Sequence, residues 1–95
     1  MKTSLHRKKR KLDLDKAVGH HLASLRKNNG MQQLNISEAL EVQRPLVSKI
    51  ENGHRSLGAT EIVDYAKALG INPSDLFADI VDIVVEYDGR HLDDE

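Results

Sequence analysis

Apolar residues along this chain recur three or four positions apart, and polar punctuation cuts the recurrence into helix-sized pieces. Val18, Leu22 and Leu25 form a stripe at i, i+4 and i+7, which predicts a first helix from about Asp15 to Asn28. Acids at its start, Arg26-Lys27 in its last turn and Asn29-Gly30 beyond it agree with those ends. A second helix is expected from about Gln32 to Leu40 and a third from about Arg44 to Asn52, with Gly53 as its left-handed stop. Pro45 fits the first turn of the third helix, where a missing N–H costs nothing. Ile62, Tyr65, Ala66 and Leu69 give a fourth helix its inner face, from Ala59 to Leu69 with Gly70 as terminator. A fifth begins at an Asn72 N-cap with Pro73 and Asp75 in its first turn, and returns Leu76 and Phe77 to the core.

The run from Ile80 to Tyr87 has two readings. Its β-branched content suits a strand, yet Leu76, Ile80 and Val84 keep helical spacing. Either way it adds more apolar surface than a small helical domain covers alone, so residues 80–95 are read as a dimerisation segment with a solvated acidic tail, Asp93 to Glu95.

The tightest constraint lies between Gln33 and Asn52. Counting Gln33 as one, Ile36, Leu40, Val42, Val47 and Ile50 fall at positions 4, 8, 10, 15 and 18. Positions 4 and 8 share the inner face of one helix, 15 and 18 share that of the next, and 10 plugs the corner between them. Position 5, where the two helices meet most closely, is the small Ser37. This is the spacing of a helix-turn-helix, whose second helix enters the DNA major groove. Position 9 requires positive φ and holds Glu41 in place of glycine, a strain of roughly 1 kcal/mol.

Charge sharpens the picture. The overall net charge of −1 conceals +7 on residues 1–55 and −8 on residues 56–95. Such a chain offers one face to a polyanion and repels it elsewhere. The basic run from His6 to Lys11 has almost no apolar content, so residues 1–14 are expected to form a flexible, DNA-clasping arm ahead of a domain at 15–79. With no cysteine there is no disulfide or thiolate metal site. No run is apolar enough to span a membrane or serve as a signal peptide, and a cytoplasmic location is inferred. His20 and His21 point about 100° apart on a helix and have no ligand cluster around them, so His21 is expected partly buried and His20 on the surface. No nucleophile–His–acid set and no Gly-rich phosphate loop is present, so no catalytic role and no cofactor is expected.

The stretch from Val18 to Phe77 resembles the Cro/C1-type (XRE) helix-turn-helix repressors. Leu25-Arg26, Met31 to Gln33, the string Val47 to Gly53 (VSKIENG), Ile62 to Gly70 (IVDYAKALG) and Pro73 to Phe77 carry the likeness. The resemblance implies an all-α, compact five-helix, lambda-repressor-like DNA-binding domain, here with a basic N-terminal arm and a C-terminal extension. It implies that Gln43, Arg44, Pro45 and Lys49 face base edges, and that Gln33, Ser48, Asn52 and Arg55 contact the DNA backbone; the basic run ahead of the domain adds Arg7, Lys8, Lys9, Arg10 and Lys11 of the arm as expected backbone contacts. In the family the Gln at the position of Gln33 also braces the recognition helix, and the acid at that of Glu51 is internal. Gln32 and Gln43 stand where the family often caps its helices with Ser or Thr, and Leu34 where it usually has a polar residue.

Arg44 is the strongest candidate reader, because its fork can bond guanine O6 and N7 together. Lys49 could reach a base or a phosphate, and Gln43 could bond adenine or cap its helix. The function expected is a sequence-specific transcriptional regulator, in repressor form, binding double-stranded DNA as a homodimer at a near-palindrome. Two alternatives stand beside it. One is an antitoxin-type module that binds a toxin (or an anti-repressor partner) and autoregulates its operon; the other is a coactivator that reads no sequence.

Overall fold

The computed structural model describes residues 4–91; the start of the arm and the acidic tail from Asp93 to Glu95 lie outside the described residues. Five helices follow in order: α1 (Ser4–Asn28), α2 (Gln33–Leu40), α3 (Arg44–Glu51), α4 (Ala59–Leu69) and α5 (Pro73–Arg90). Leu22, Ile36, Val47, Ile50, Ile62, Tyr65, Ala66, Leu69 and Leu76 form the buried cluster. Val18, Leu25, Leu40, Val42 and Phe77 pack around it, so the predicted stripes all face inward. Ser37 is buried at the α2–α3 contact, and its Oγ donates to the Leu34 carbonyl at 2.9 Å.

Helix ends follow the expected backbone chemistry. Gly30, Gly53 and Gly70 are left-handed, and so is Glu41, at φ 57° and ψ 44°. The turn keeps its geometry without glycine because Glu41 N–H bonds back to Glu38 and Val42 N–H to Ser37, closing the end of α2. Neither Gln32 nor Gln43 caps through its side chain. Asn35 Oδ1 instead accepts the Gln32 N–H at 2.7 Å, and the capping reading of Gln43 falls away. Asn72 caps α5 as expected, accepting from Ser74 N–H at 2.8 Å.

Two expectations are corrected. The first helix starts at Ser4 and not near Asp15, so the basic run is the opening of a 25-residue rod. Asp13 and Asp15 therefore lie inside the helix, not at its positive end. Here they pair one turn back with Lys9 and Lys11, both at 2.9 Å. The low apolar content that suggested disorder is offset by these pairs and by anchoring to α5 described below. The second correction concerns residues 80–87, where the strand alternative does not hold: α5 is one helix through Arg90. It lies antiparallel to α1, with His21 beside Asp79, Asp13 beside Tyr87 and Arg10 beside Asp88. A helix satisfies its own backbone there, whereas a lone strand would leave both edges unpaired.

Candidate nucleic-acid interface

α3 is two-faced because of its register. Val47, Ile50 and Glu51 are buried, while Arg44, Pro45 and Lys49 are exposed, with Ser48 half-buried between them. At 100° per residue the outer set, with Gln43 before it and the exposed Asn52 at the C-cap, spans one side of the helix. The structure thus gathers the predicted base-facing residues on one surface. Asn52 Nδ2 donates to Ser48 Oγ at 3.3 Å, joining two of the predicted backbone contacts.

What holds that surface in place is a buried polar hub. Glu51 projects from the inner side of α3, and its carboxylate accepts four hydrogen bonds. Oε2 takes Arg26 Nε at 2.8 Å and Tyr65 OH at 3.1 Å; Oε1 takes Arg26 Nη2 at 3.0 Å and Gln33 Nε2 at 2.9 Å. Arg26 Nη1 donates to the Met31 carbonyl at 2.9 Å. Four helices, α1 to α4, therefore converge on one carboxylate, with its acceptor sites filled. Burial pushes the Glu51 carboxyl up, but the Arg26 guanidinium, the Gln33 amide and the Tyr65 hydroxyl outweigh it and hold the group below its ordinary value. Burial, together with the charge of Glu51, pushes the Tyr65 hydroxyl up.

Backbone contact fixes the same junction. A Cβ on the buried Gly19 of α1 would collide with the Ile50 carbonyl and lie 2.7 Å from that of Glu51. A Cβ on Gly53 would lie 2.6 Å from Lys16 Cα. Hydrogen at both positions lets α1 and the C-terminal end of α3 touch directly.

The predicted backbone-contact residues divide into groups. Gln33 is turned onto Glu51, which is the bracing role. Arg55 forms a fork on Glu61, at 2.6 and 3.1 Å, and also donates to the Ser56 carbonyl, so a carboxylate already occupies it. That pairing holds Glu61 below the ordinary carboxylate value, helped by the Gly58 N–H. Arg7, Lys8, Lys9, Arg10 and Lys11 are exposed on α1, and of these Lys11 reaches the loop that follows α3: its Nζ donates to Ser56 Oγ at 2.7 Å. His20 is exposed; His21 is half-buried, with Nε2 2.9 Å from Asp79 Oδ2. Among the described residues no cluster of potential metal ligands occurs, and no helix is long and apolar enough to cross a membrane.

Sequence reasoning gave Arg26 only a helix-end role and did not anticipate the Tyr65 hydroxyl or the Arg55–Glu61 fork. The available signal was Glu51 itself. A charge in register with Val47 and Ile50 faces inward, and an inward acid requires a cation and further donors.

A search of curated proteins gives no match. Among solved structures, the fold is similar to the crystal structure of the clp gene regulator ClgR from C. glutamicum, with a TM-score of 0.65 and 25% identity over 72% of this chain and 88% of that one. A helix-turn-helix family model matches residues 22–76, from the core of α1 into α5. With more than half its length in that match, and with the α2–α3 corner and buried acid described above, the chain belongs to the Cro/C1-type (XRE) helix-turn-helix family.

Proposed function

We propose that the protein is a sequence-specific DNA-binding transcriptional regulator that acts as a homodimeric repressor. The observation that carries this reading is the outward set Arg44, Pro45, Ser48 and Lys49, presented on a helix whose opposite side is pinned by the four-bonded Glu51 carboxylate. Pre-organisation of the reader means that little ordering is needed when it enters a groove. Arg44 near the start of α3 takes guanine, Pro45 presses on a thymine methyl, and Lys49 takes a base or phosphate about one and a half turns on. Ser48, Asn52 and Gln33 position the backbone.

Dimerisation is supported by α5. Val81 and Val85, one turn apart, are 56% and 64% exposed, with half-buried Ile80, Ile83 and Val84 beside them. Pairing there gives two readers and a near-palindromic site whose halves lie about 34 Å apart. The same surface, flanked by Asp82 and Glu86, favours a second reading: a protein partner of the toxin kind docks on α5 while the α3 surface autoregulates.

Selection from a random duplex pool tests the first reading. Enrichment of a two-fold site with guanine preferences that vanish in Arg44→Ala is the expected result. A pool that stays unenriched overturns it. Light scattering then separates the two roles of α5: a wild-type dimer that becomes monomeric on Val81→Asp/Val85→Asp supports self-association, and a wild-type monomer assigns the surface to another protein.

A further inference from the structure

The charge run at the start of α1 is not presented freely. Arg10 forms a two-pronged bridge across the molecule to Asp88 near the end of α5, with Nε 2.9 Å from Oδ1 and Nη2 3.0 Å from Oδ2. One turn on, Asp13 Oδ2 accepts from Tyr87 OH at 2.7 Å and from Lys9 Nζ at 2.9 Å. Lys11 shares Asp15 with Ser56. Three of the five cations between residues 7 and 11, Lys9, Arg10 and Lys11, are therefore paired with carboxylates, Asp13, Asp88 and Asp15, one of them from the acidic half of the sequence.

The base of this tip is tied to the loop that follows α3. Lys16 lies against Gly53, and Lys11 and Asp15 reach Ser56, so the rod passes beside the loop that follows the recognition helix before it continues outward. The bridge to Asp88 is also built to exchange. The Arg10 and Asp88 side chains are 46% and 48% exposed, in contrast to 10% and 4% for Arg26 and Glu51. An exposed pair gives little stability and is easily traded for another anion, whereas a desolvated one is not.

We propose that Asp88 is an intramolecular competitor of DNA: it occupies the Arg10 guanidinium in the free protein, and a phosphate must displace it before the tip of α1 joins the interface. This rests on the DNA-binding reading above and adds a regulatory contact to it. A phosphate oxygen pair offers the same two-pronged geometry as the Asp88 carboxylate. The exchange keeps the tip from adding its full charge to non-specific encounters, which depend on counterion release.

The test compares Asp88→Asn with wild type, using the duplex recovered by selection and a random duplex of equal length, across a salt series. Freed Arg10 tightens binding severalfold to both duplexes and steepens the log–log salt slope by about one. Arg10→Gln/Asp88→Asn loses that gain. Glu86→Gln removes one negative charge from the same helix without touching the bridge and gives the effect of bare net charge, expected to be smaller. Equal or weaker binding by Asp88→Asn at unchanged helicity overturns the proposal, as does a gain that survives in the double variant or is matched by Glu86→Gln. If Asp88→Asn loses helicity, Asp88→Gln takes its place: the same gain, lost again in Arg10→Gln/Asp88→Gln, supports the exchange, and no gain overturns it. A wild-type chain that binds neither duplex refutes the functional reading itself, which keeps the two failures apart.

Discussion

Two Arg–carboxylate bridges in this molecule have nearly the same bond lengths and opposite roles. Arg26–Glu51, at 2.8 and 3.0 Å, is enclosed between four helices; Arg10–Asp88, at 2.9 and 3.0 Å, joins two helix ends in solvent. Distance therefore does not distinguish a structural bridge from an exchangeable one. Solvent does, because water and salt compete for an exposed guanidinium and cannot reach an enclosed one. The enclosed bridge sets where α3 stands. The open one sets how much of the basic surface is available.

The largest expected effect breaks the enclosed bridge. Glu51→Ala leaves Arg26, Gln33 and Tyr65 without their acceptor, and losing one partner of a buried pair costs about 3–5 kcal/mol. For a domain of this size that lowers Tm by more than about 12 °C, or prevents folding, measured by circular dichroism. Arg10→Ala shifts Tm little. Similar losses for the two variants would remove the distinction.

Next in size is Gly19→Ala, which inserts a methyl between α1 and the backbone carbonyls of Ile50 and Glu51. Backbone cannot swing aside as a side chain does, so the cost is roughly 1–3 kcal/mol. Gly89, with nothing within 4 Å of its missing Cβ, is the control: alanine there raises Tm, since glycine is the poorer helix former.

The comparison shows how far the sequence could be read. Helix count, the α2–α3 corner and the exposed side of α3 were legible because each depends on local spacing. The start of α1 was not, since a basic run with few apolar residues looks disordered until Asp88, far along the chain, is brought beside Arg10. Residues 80–87 were ambiguous for the related reason that β-branched side chains suit either element, and packing against α1 decides. The hub was half legible: Glu51 announced an inward charge, but Tyr65 read only as an apolar core residue.

Acid gives a finer test. Glu51 has its folded pKa held below the ordinary value near 4.5. A depressed carboxylate contributes stability above its unfolded pKa and loses it as pH falls through the folded one, so Tm should drop below about pH 4.5. Asp13, Asp88 and Glu61 are lowered as well, the first by Lys9 and Tyr87, the second by Arg10 and the third by Arg55. High salt should screen those exposed contributions and leave that of Glu51. An acid limb that vanishes entirely in salt would deny the hub its share.

The smallest effect expected is a gain. Glu41→Gly relieves a left-handed non-glycine residue and should raise stability by up to about 1 kcal/mol without changing the duplex selected. A changed preference would mean that the turn, and not the hub alone, aims α3.

Length is the remaining consequence of α1. From Arg26, which anchors α3 through Glu51, to Arg10 at the outer bridge is sixteen residues, or roughly 24 Å of unbroken helix, close to seven base-pair steps. A tether could reel its charges in toward any nearby target; a strut cannot. Whatever engages both ends of this one must supply footholds at that separation, which makes the opening of the chain a gauge for the extent of its target.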